Sequence, residues 1–371
     1  MHKNASQTRP FDSTASASSP AAPLDDRIPT VSVIMPIYNV ERFVADAVTS
    51  VLEQTFVDFE LLIIDDCSPD DSLVICAAFD DARIRIIRHR ENSGLASARN
   101  TGIRHARGKL IAFLDSDDCW LPHKLALHVQ HLDSRPEVGV SFSRSSFINE
   151  DSTPNHCYQM PRLTDIDAGY QLCRNPIGNG SAPVIRREVF TAIAYQDEQS
   201  NSAEHWFFDE HLRRSEDIEC WIRIALTTRW IIEGIPEALT LYRLNAGGLS
   251  ANLLQQFESW QQVIDKTRVY APDFVAQWER RARAFQLRYL ARQAIRLRDG
   301  AMAMQFMQRA LITDPRIVLR EPGRTLSTLC AACLLRLTPR HVYAGIETIA
   351  QHVIGGIQLR RIARDLQTRG V

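Results

Sequence analysis

Between Val31 and Leu114 the chain alternates short, almost wholly apolar runs with segments whose apolar residues recur at helical spacing. Val31-Ser-Val-Ile-Met-Pro-Ile-Tyr-Asn39 reads as a buried strand. Residues 41–53 carry Phe43, Val44, Ala47, Val48, Val51 and Leu52 on one helical face. Residues 59–64, 84–87 and 110–114 repeat the strand pattern, and helices are predicted around 72–79 and 95–106. Strands apolar on both faces must be covered on both, and helices that join them build a parallel sheet between helical layers. Ligands of such sheets gather at the carboxyl ends of the strands. Three of those ends are polar here: Tyr38-Asn39, Asp65-Asp66 and Asp115-Ser116-Asp117-Asp118.

The remainder is less regular, then helical. Residues 138–142 and 182–185 read as strands and 218–226 as a helix, while everything after Ser250 carries helical spacing. A hairpin of helices over 283–298 and 301–311 turns at Asp299-Gly300, and residues 342–364 form an amphipathic helix ending in Arg360, Arg361 and Arg364. The formal net charge of −1 conceals an asymmetry, because from Arg280 onward there are 17 arginines, no lysine and five acids. A tail so basic suits an anionic membrane surface or an acidic protein face; a solvated helical surface is the plain alternative. No nucleic-acid partner is expected.

Residues 1–29 lack periodicity and an apolar signal-peptide core, so a disordered leader is expected there. No apolar run reaches the roughly 18–20 residues that cross a bilayer, which predicts a cytoplasmic protein that does not span a membrane. Of eight cysteines only Cys330 and Cys333 form a CxxC, without the further ligands zinc needs, so a buried helical face is expected. His128 and His131 lie three apart on a predicted helix and, without a carboxylate partner, are expected at the surface.

Several segments can carry chemistry, each with a plainer reading beside it. Asp115 and Asp117 at a strand end can hold a hard divalent cation whose other ligands are water and phosphate. They can also be loop acids, one of them capping a helix that starts near Leu121. Asp66 can accept hydrogen bonds from a nucleotide or cap the next helix. Gly94 and Arg99 open a helix whose N-terminus attracts phosphate, unless Gly94 merely turns the chain and Arg99 faces solvent. Ser215-Glu216-Asp217 is either a capped, acidic first helical turn or the seat of a general base. An exposed Asp217 near the reference pKa of about 3.9 would be ionised at neutral pH. Residues 102–110 do not make a P-loop, having five intervening residues and Leu110 at the metal-binding position. No GxGxxG follows the first strand, which argues against a dinucleotide oxidoreductase.

In order and spacing these pieces resemble the inverting glycosyltransferases of family 2. The likeness runs over residues 29–250 and includes Gln54-Thr55-Phe56, Asp65-Asp66-Cys-Ser68, Asn92-Ser-Gly94, Ala98-Arg99-Asn100-Thr-Gly102, Asp115-Ser-Asp117-Asp118, Trp120-Leu-Pro122, Ser215-Glu216-Asp217 with Trp221, and Tyr242-Arg243. The resemblance implies an α/β GT-A fold over 30–250, with a mixed, mainly parallel sheet, and leaves 251–371 as a helical region for membrane-surface docking or homo-oligomerisation. It implies that Pro36 and Tyr38 border the nucleobase, that Asp66 hydrogen-bonds it, and that Arg99, Asp115 and Ser116 contact the nucleotide-sugar. Asp117 would ligate Mn²⁺ or Mg²⁺ and Asp217 would be the base. Relatives often carry Tyr-Arg-x-His; here Asn245 stands at the His position, so charge on the diphosphate falls to the metal, Arg243 or another group.

The activity so implied is metal-assisted transfer, with inversion, from a nucleotide-diphosphate donor to a hydroxyl acceptor. UDP is the family's commonest nucleotide. A glycan or lipid-linked acceptor fits bacterial surface polysaccharide or glycolipid synthesis, at the cytoplasmic face of the membrane. The alternatives are an inactive nucleotide-sugar-binding partner and a sugar nucleotidyltransferase, whose Gly-rich first loop is missing at Met35–Asn39.

Overall fold

The computed structural model describes residues 28–197, 204–245 and 252–369. The expected leader, apart from Ile28 and Pro29, and the segment 246–250 lie outside the described residues. The first half alternates as its apolar spacing requires: β1 (Val31–Ile37), α1 (Val44–Leu52), β2 (Phe59–Asp65), α2 (Ser72–Ala77), β3 (Ile84–Arg88), α3 (Leu95–His105) and β4 (Leu110–Phe113). Then follow β5 (Cys119–Trp120), α4 (Lys124–Ser134), β6 (Val138–Ile148), β7 (Pro154–Tyr158), α5 (Ala168–Arg174) and β8 (Pro183–Arg186). The chain continues through α6 (Arg187–Ile193), β9 (Tyr195–Gln196), β10 (His205–Trp206), α7 (Glu216–Thr227) and the long β11 (Ile231–Arg243). Six helices complete it: α8 (Leu253–Tyr270), α9 (Pro272–Arg296), α10 (Gly300–Thr313), α11 (Ile317–Arg320), α12 (Pro322–Leu337) and α13 (Arg340–Arg369).

One large mixed sheet runs β3-β2-β1-β4-β8-β6-β11-β5, with β7 added to β6. β3, β2, β1 and β4 are mutually parallel, and β8 enters antiparallel between β4 and β6. Ile37 pairs with Asp65 and Phe113 with Ile34, so Tyr38, Asp66 and the Asp115 loop all leave from one edge. Alternation along β1 explains its unbroken apolarity: Val33, Met35 and Ile37 pack with Val44 and Val48 of α1, while Ile34 packs with Ile103 of α3.

The C-terminal helices share a core with the sheet's covering helices. Trp260, Phe285, Leu290 and Phe306 cluster with Leu172 and Cys173 of α5 and Ile222 of α7. Asp299 caps α10 by accepting from the Met302 N–H at 2.8 Å, the turn that Asp299-Gly300 predicts. No helix among the described residues is long and apolar enough to cross a membrane.

Several local expectations are corrected. Cys119–Trp120 pairs with β11, so the next helix begins at Lys124 and no aspartate caps it. His128 and His131 are buried: both ring Nδ1 atoms meet Ser141 Oγ, at 2.7 and 2.8 Å, and His131 Nε2 meets Glu233 at 2.9 Å. Ser141 and Glu233 come from strands β6 and β11, which spacing along α4 does not reveal. Cys330 is exposed rather than on a buried face, all eight cysteines are free, and only Cys76, Cys173 and Cys220 are buried.

Candidate active site

The loop after β4 is locked by its third acid, Asp118. Asp118 is buried and accepts from Ser181 Oγ at 2.7 Å and from the Arg243 backbone N–H at 2.9 Å. Ser181 Oγ also accepts from the Asp115 N–H at 3.0 Å. From β11, Arg243 Nε donates to the Asp117 carbonyl at 2.7 Å, and its guanidinium lies over Phe43 at 4.7 Å. Arg243 therefore stands behind the loop and braces its backbone. Ser116 is buried, and the carboxylates of Asp115 and Asp117 remain half-buried at the sheet edge. Burial, and then the charge of Asp115, push the Asp117 carboxyl up to about 6, against the pull of Arg243.

A second assembly fixes the start of α3. Asp66, buried at the end of β2, accepts from the N–H groups of Ser93 and Gly94 at 2.8 Å each, and meets His89 Nδ1 at 2.8 Å. Those bonds hold the turn that aims Arg99 inward. Arg99 is 2% exposed and does not face solvent. It donates from Nη2 to Asp115 at 2.7 Å and from Nη1 to Glu216 at 2.5 Å, with Phe113 and Phe208 beneath its plane at 5.9 and 5.5 Å. The acids around it keep its charge bound firmly. Gly180 permits the closeness: a Cβ there would lie 2.3 Å from Arg99 Nη2 and 2.9 Å from Asp115 Oδ2.

Asp217 follows Glu216 in the first turn of α7, beside this bridge. The helix start is not the exposed, side-chain-capped one that its sequence suggests. Ser215 sits at φ 61° and makes no side-chain cap bond, and Glu216 is 4% exposed. Asp217 Oδ1 accepts from the Ile218 N–H at 2.8 Å. Burial, then the neighbouring Glu216, push its carboxyl up to about 7, with Arg99 opposing. At neutral pH it is a mixture of acid and base rather than fully ionised.

The structure thus gathers Asp115, Ser116, Asp117, Arg99 and Asp217 around one ion-paired centre. Tyr38 and Asp66 stand on the adjoining strand ends. The Tyr38 ring is 48% exposed, while Pro36 is buried inside β1 opposite Ile64. Sequence reasoning missed Ser181, Gly180, the bracing role of Asp118 and the pairing role of Glu216. Asp118 and Glu216 had a local signal, as acids beside Asp117 and Asp217. Among the described residues no three His, Cys, Asp or Glu side chains come together as a ready-made metal cage.

A mixed sheet with this order, and a crowd of acids at the parallel strands' carboxyl edge, is the architecture of a GT-A glycosyltransferase. The likeness to known proteins agrees. The model of "Glycosyl transferase family 2" matches residues 32–193. The protein named "Putative teichuronic acid biosynthesis glycosyltransferase TuaG" of Bacillus subtilis is 32% identical over 228 residues, covering 60% of this chain and 82% of that protein. WfgD of Escherichia coli, named as a UDP-Glc:α-D-GlcNAc-diphosphoundecaprenol β-1,3-glucosyltransferase, is 37% identical over 129 residues, covering 35% of this chain and 50% of WfgD. Among solved structures, the mannosyltransferase PcManGT of Pyrobaculum calidifontis, with GDP-Man and Mn²⁺, superposes with TM-score 0.52 at 19% identity, covering 84% of this chain and 88% of that one. The chain belongs to glycosyltransferase family 2.

Proposed function

We propose that this enzyme transfers a sugar from a UDP-sugar to a hydroxyl of a glycan or lipid-linked acceptor, with inversion at the anomeric carbon and Asp217 as general base. The observation that carries this is the Arg99 bridge. It ties Asp115, at the end of β4, to Glu216, next to Asp217, so acids far apart in sequence act at one place. In the reaction Asp217 accepts the acceptor's hydroxyl proton. The freed oxygen forms its bond to the anomeric carbon as the bond to the diphosphate breaks on the opposite face, and that electron pair leaves with the nucleotide. A base whose carboxyl sits near 7 takes a proton more readily than an ordinary aspartate and is still partly in its base form at neutral pH.

Asp117 and Asp115 fit a hard divalent cation. Both are carboxylates, and Asp117 is pushed up by burial beside a like charge, which a bound cation relieves. Such a cation supplies charge neutralisation for the leaving phosphates. Among the described residues Asp115 and Asp117 are the side chains that would hold it. Tyr38 offers an exposed ring, and Asp66 a fixed acceptor, on the strand ends where a nucleobase binds.

UDP and a lipid-linked acceptor are favoured because WfgD's name states both, and TuaG's name points to surface-polysaccharide synthesis. Helix α13 suits an anionic membrane face carrying such an acceptor. Val342, Ile346, Ile349, Val353 and Ile357 form an exposed stripe, and Arg360, Arg361 and Arg364 are exposed at its end. Incubation with UDP-sugars and an acceptor glycan should release UDP. Donor binding without UDP release would leave an inactive binding protein, and pyrophosphate from UTP and a sugar phosphate would make it a nucleotidyltransferase.

A further inference from the structure

A cavity of about 220 Å³ opens where α5, α9 and α11 meet, away from the carboxylate cluster. Four arginines line it, Arg162, Arg174, Arg281 and Arg320, against two acids, Asp167 and Glu321. Most of those charges are already spoken for. Arg320 pairs with Asp314 at 2.6 Å, and Arg174 pairs with Glu321 at 3.3 Å, which Arg288 also holds. Asp167 caps α5, accepting from the Tyr170 N–H at 2.6 Å. Arg162 and Arg281 differ, since no carboxylate meets either among the described residues: Arg162 donates to the Asp165 carbonyl and lies over Tyr170, while Trp278 and Phe285 hold Arg281, at 5.0 and 5.7 Å from their ring centres. Its Nε is buried without a hydrogen-bond partner, as is that of Arg174.

The aromatic wall is built in with equal care. Trp278 packs against α5 at Gly169, where a Cβ would come within 2.3 Å of the indole. Tyr170 stands across the cavity with Arg162 over its ring at 4.0 Å. An unpaired guanidinium fork takes a planar or tetrahedral anion with two oxygens, and aromatic faces take the apolar face of a ring. The volume falls below the roughly 300–1,000 Å³ of sites for drug-sized ligands, so it admits one small ring.

We infer that this cavity is a second carbohydrate site, which takes a single sugar residue bearing a carboxylate or a phosphate, with Arg281 on the anion and Trp278 on the ring. Its wall is joined to the reaction centre. From the end of α5 the chain runs through Asn175 to Gly180, where a Cβ would crowd both Arg99 and Asp115. Six residues span at most about 20 Å, and α5 also packs on α7, which carries Asp217. The residue seated here therefore belongs to the chain being extended, a step that rests on the transfer reading above.

The test is direct binding to the full chain with saturating UDP present, followed by tryptophan fluorescence and calorimetry. The probes are glucuronate, glucose 1-phosphate, glucose and inorganic phosphate. Glucuronate or glucose 1-phosphate should bind at least about tenfold more tightly than glucose or phosphate, and which of the two binds distinguishes carboxylate from phosphate. Arg281→Gln should abolish that preference, Arg281→Lys should weaken it about tenfold, and Trp278→Phe should remove the fluorescence change, with melting temperatures near wild type. Asp217→Asn should bind the anionic sugar as wild type does, so loss of turnover alone leaves this site standing. Equal binding of glucose, equal binding of inorganic phosphate, or unchanged affinity in both Arg281 variants overturns it.

Discussion

Arg99 and Glu216, 117 positions apart in sequence, meet through a contact of 2.5 Å between Nη1 and Oε1, and the other terminal nitrogen of Arg99 holds Asp115 at 2.7 Å. This one buried cation links the end of β4 to the start of α7. Without it, Asp115, Glu216 and Asp217 would crowd together with no positive charge among them.

Removal of that cation is therefore costly. Arg99→Gln should lower unfolding free energy by about 3–5 kcal/mol, the usual cost of breaking a buried pair by deleting one member. Glu216→Gln in the same chain should recover part of the loss. Urea denaturation of the two single variants and the double variant measures this, and a change below about 1 kcal/mol for Arg99→Gln would contradict the bridge.

The pH dependence follows from Asp217. Its carboxyl lies at about 7, above its ordinary 3.8, chiefly through burial and then Glu216. The base form appears as pH rises, so kcat/KM should climb through an acidic limb near 7. Glu216→Gln removes the like charge and should move that limb to lower pH. The folded state also holds this proton more tightly than the unfolded one does. The associated stability is complete below about 3.8 and lost as pH rises through about 7. Asp217→Asn should thus be more stable than wild type above pH 7, by thermal melting, and no more stable at pH 4.

Much of this centre was legible in the sequence, and the boundary has a physical cause. Strand ends and helix starts are local, so Asp66, Asp115 and Asp117 declared themselves through apolar runs that stop at acids, and Asp217 through the acidic first turn of a helix. Pairing across the fold is not local. Arg99 read equally well as a phosphate contact or a surface residue, because its partners lie 16 and 117 positions away. His131 read as exposed because Glu233 lies 102 positions on. The ionisation of Asp217 was misjudged for the same reason: burial of the α7 start depends on what packs around it. The insertion of β8 between β4 and β6 likewise leaves no trace in its own four residues.

Asp117 should govern donor affinity through the cation. Wild-type protein should bind UDP-sugar more tightly with Mn²⁺ or Mg²⁺ than with chelator, and Asp117→Ala should lose that difference while Asp118→Asn loses stability, since Asp118 locks the loop from behind. Calorimetry with and without metal decides the point. Equal wild-type affinity in both conditions would remove the cation from the account.

The exposed stripe of α13 should bind anionic vesicles. With about 1 kcal/mol from each basic residue near the surface, flotation at low salt should carry the full chain upward, and replacement of Arg360, Arg361 and Arg364 by Gln should leave it at the bottom. Wild-type protein that stays at the bottom at low salt would end the membrane proposal.

The decisive measurement is turnover and donor affinity of Asp217→Asn, side by side. If this carboxylate takes the proton from the acceptor, UDP-sugar should bind within about twofold of wild type while kcat falls by about 10²–10⁴-fold. A variant that turns over at the wild-type rate would show that the proton goes elsewhere and that α7 contributes only its position.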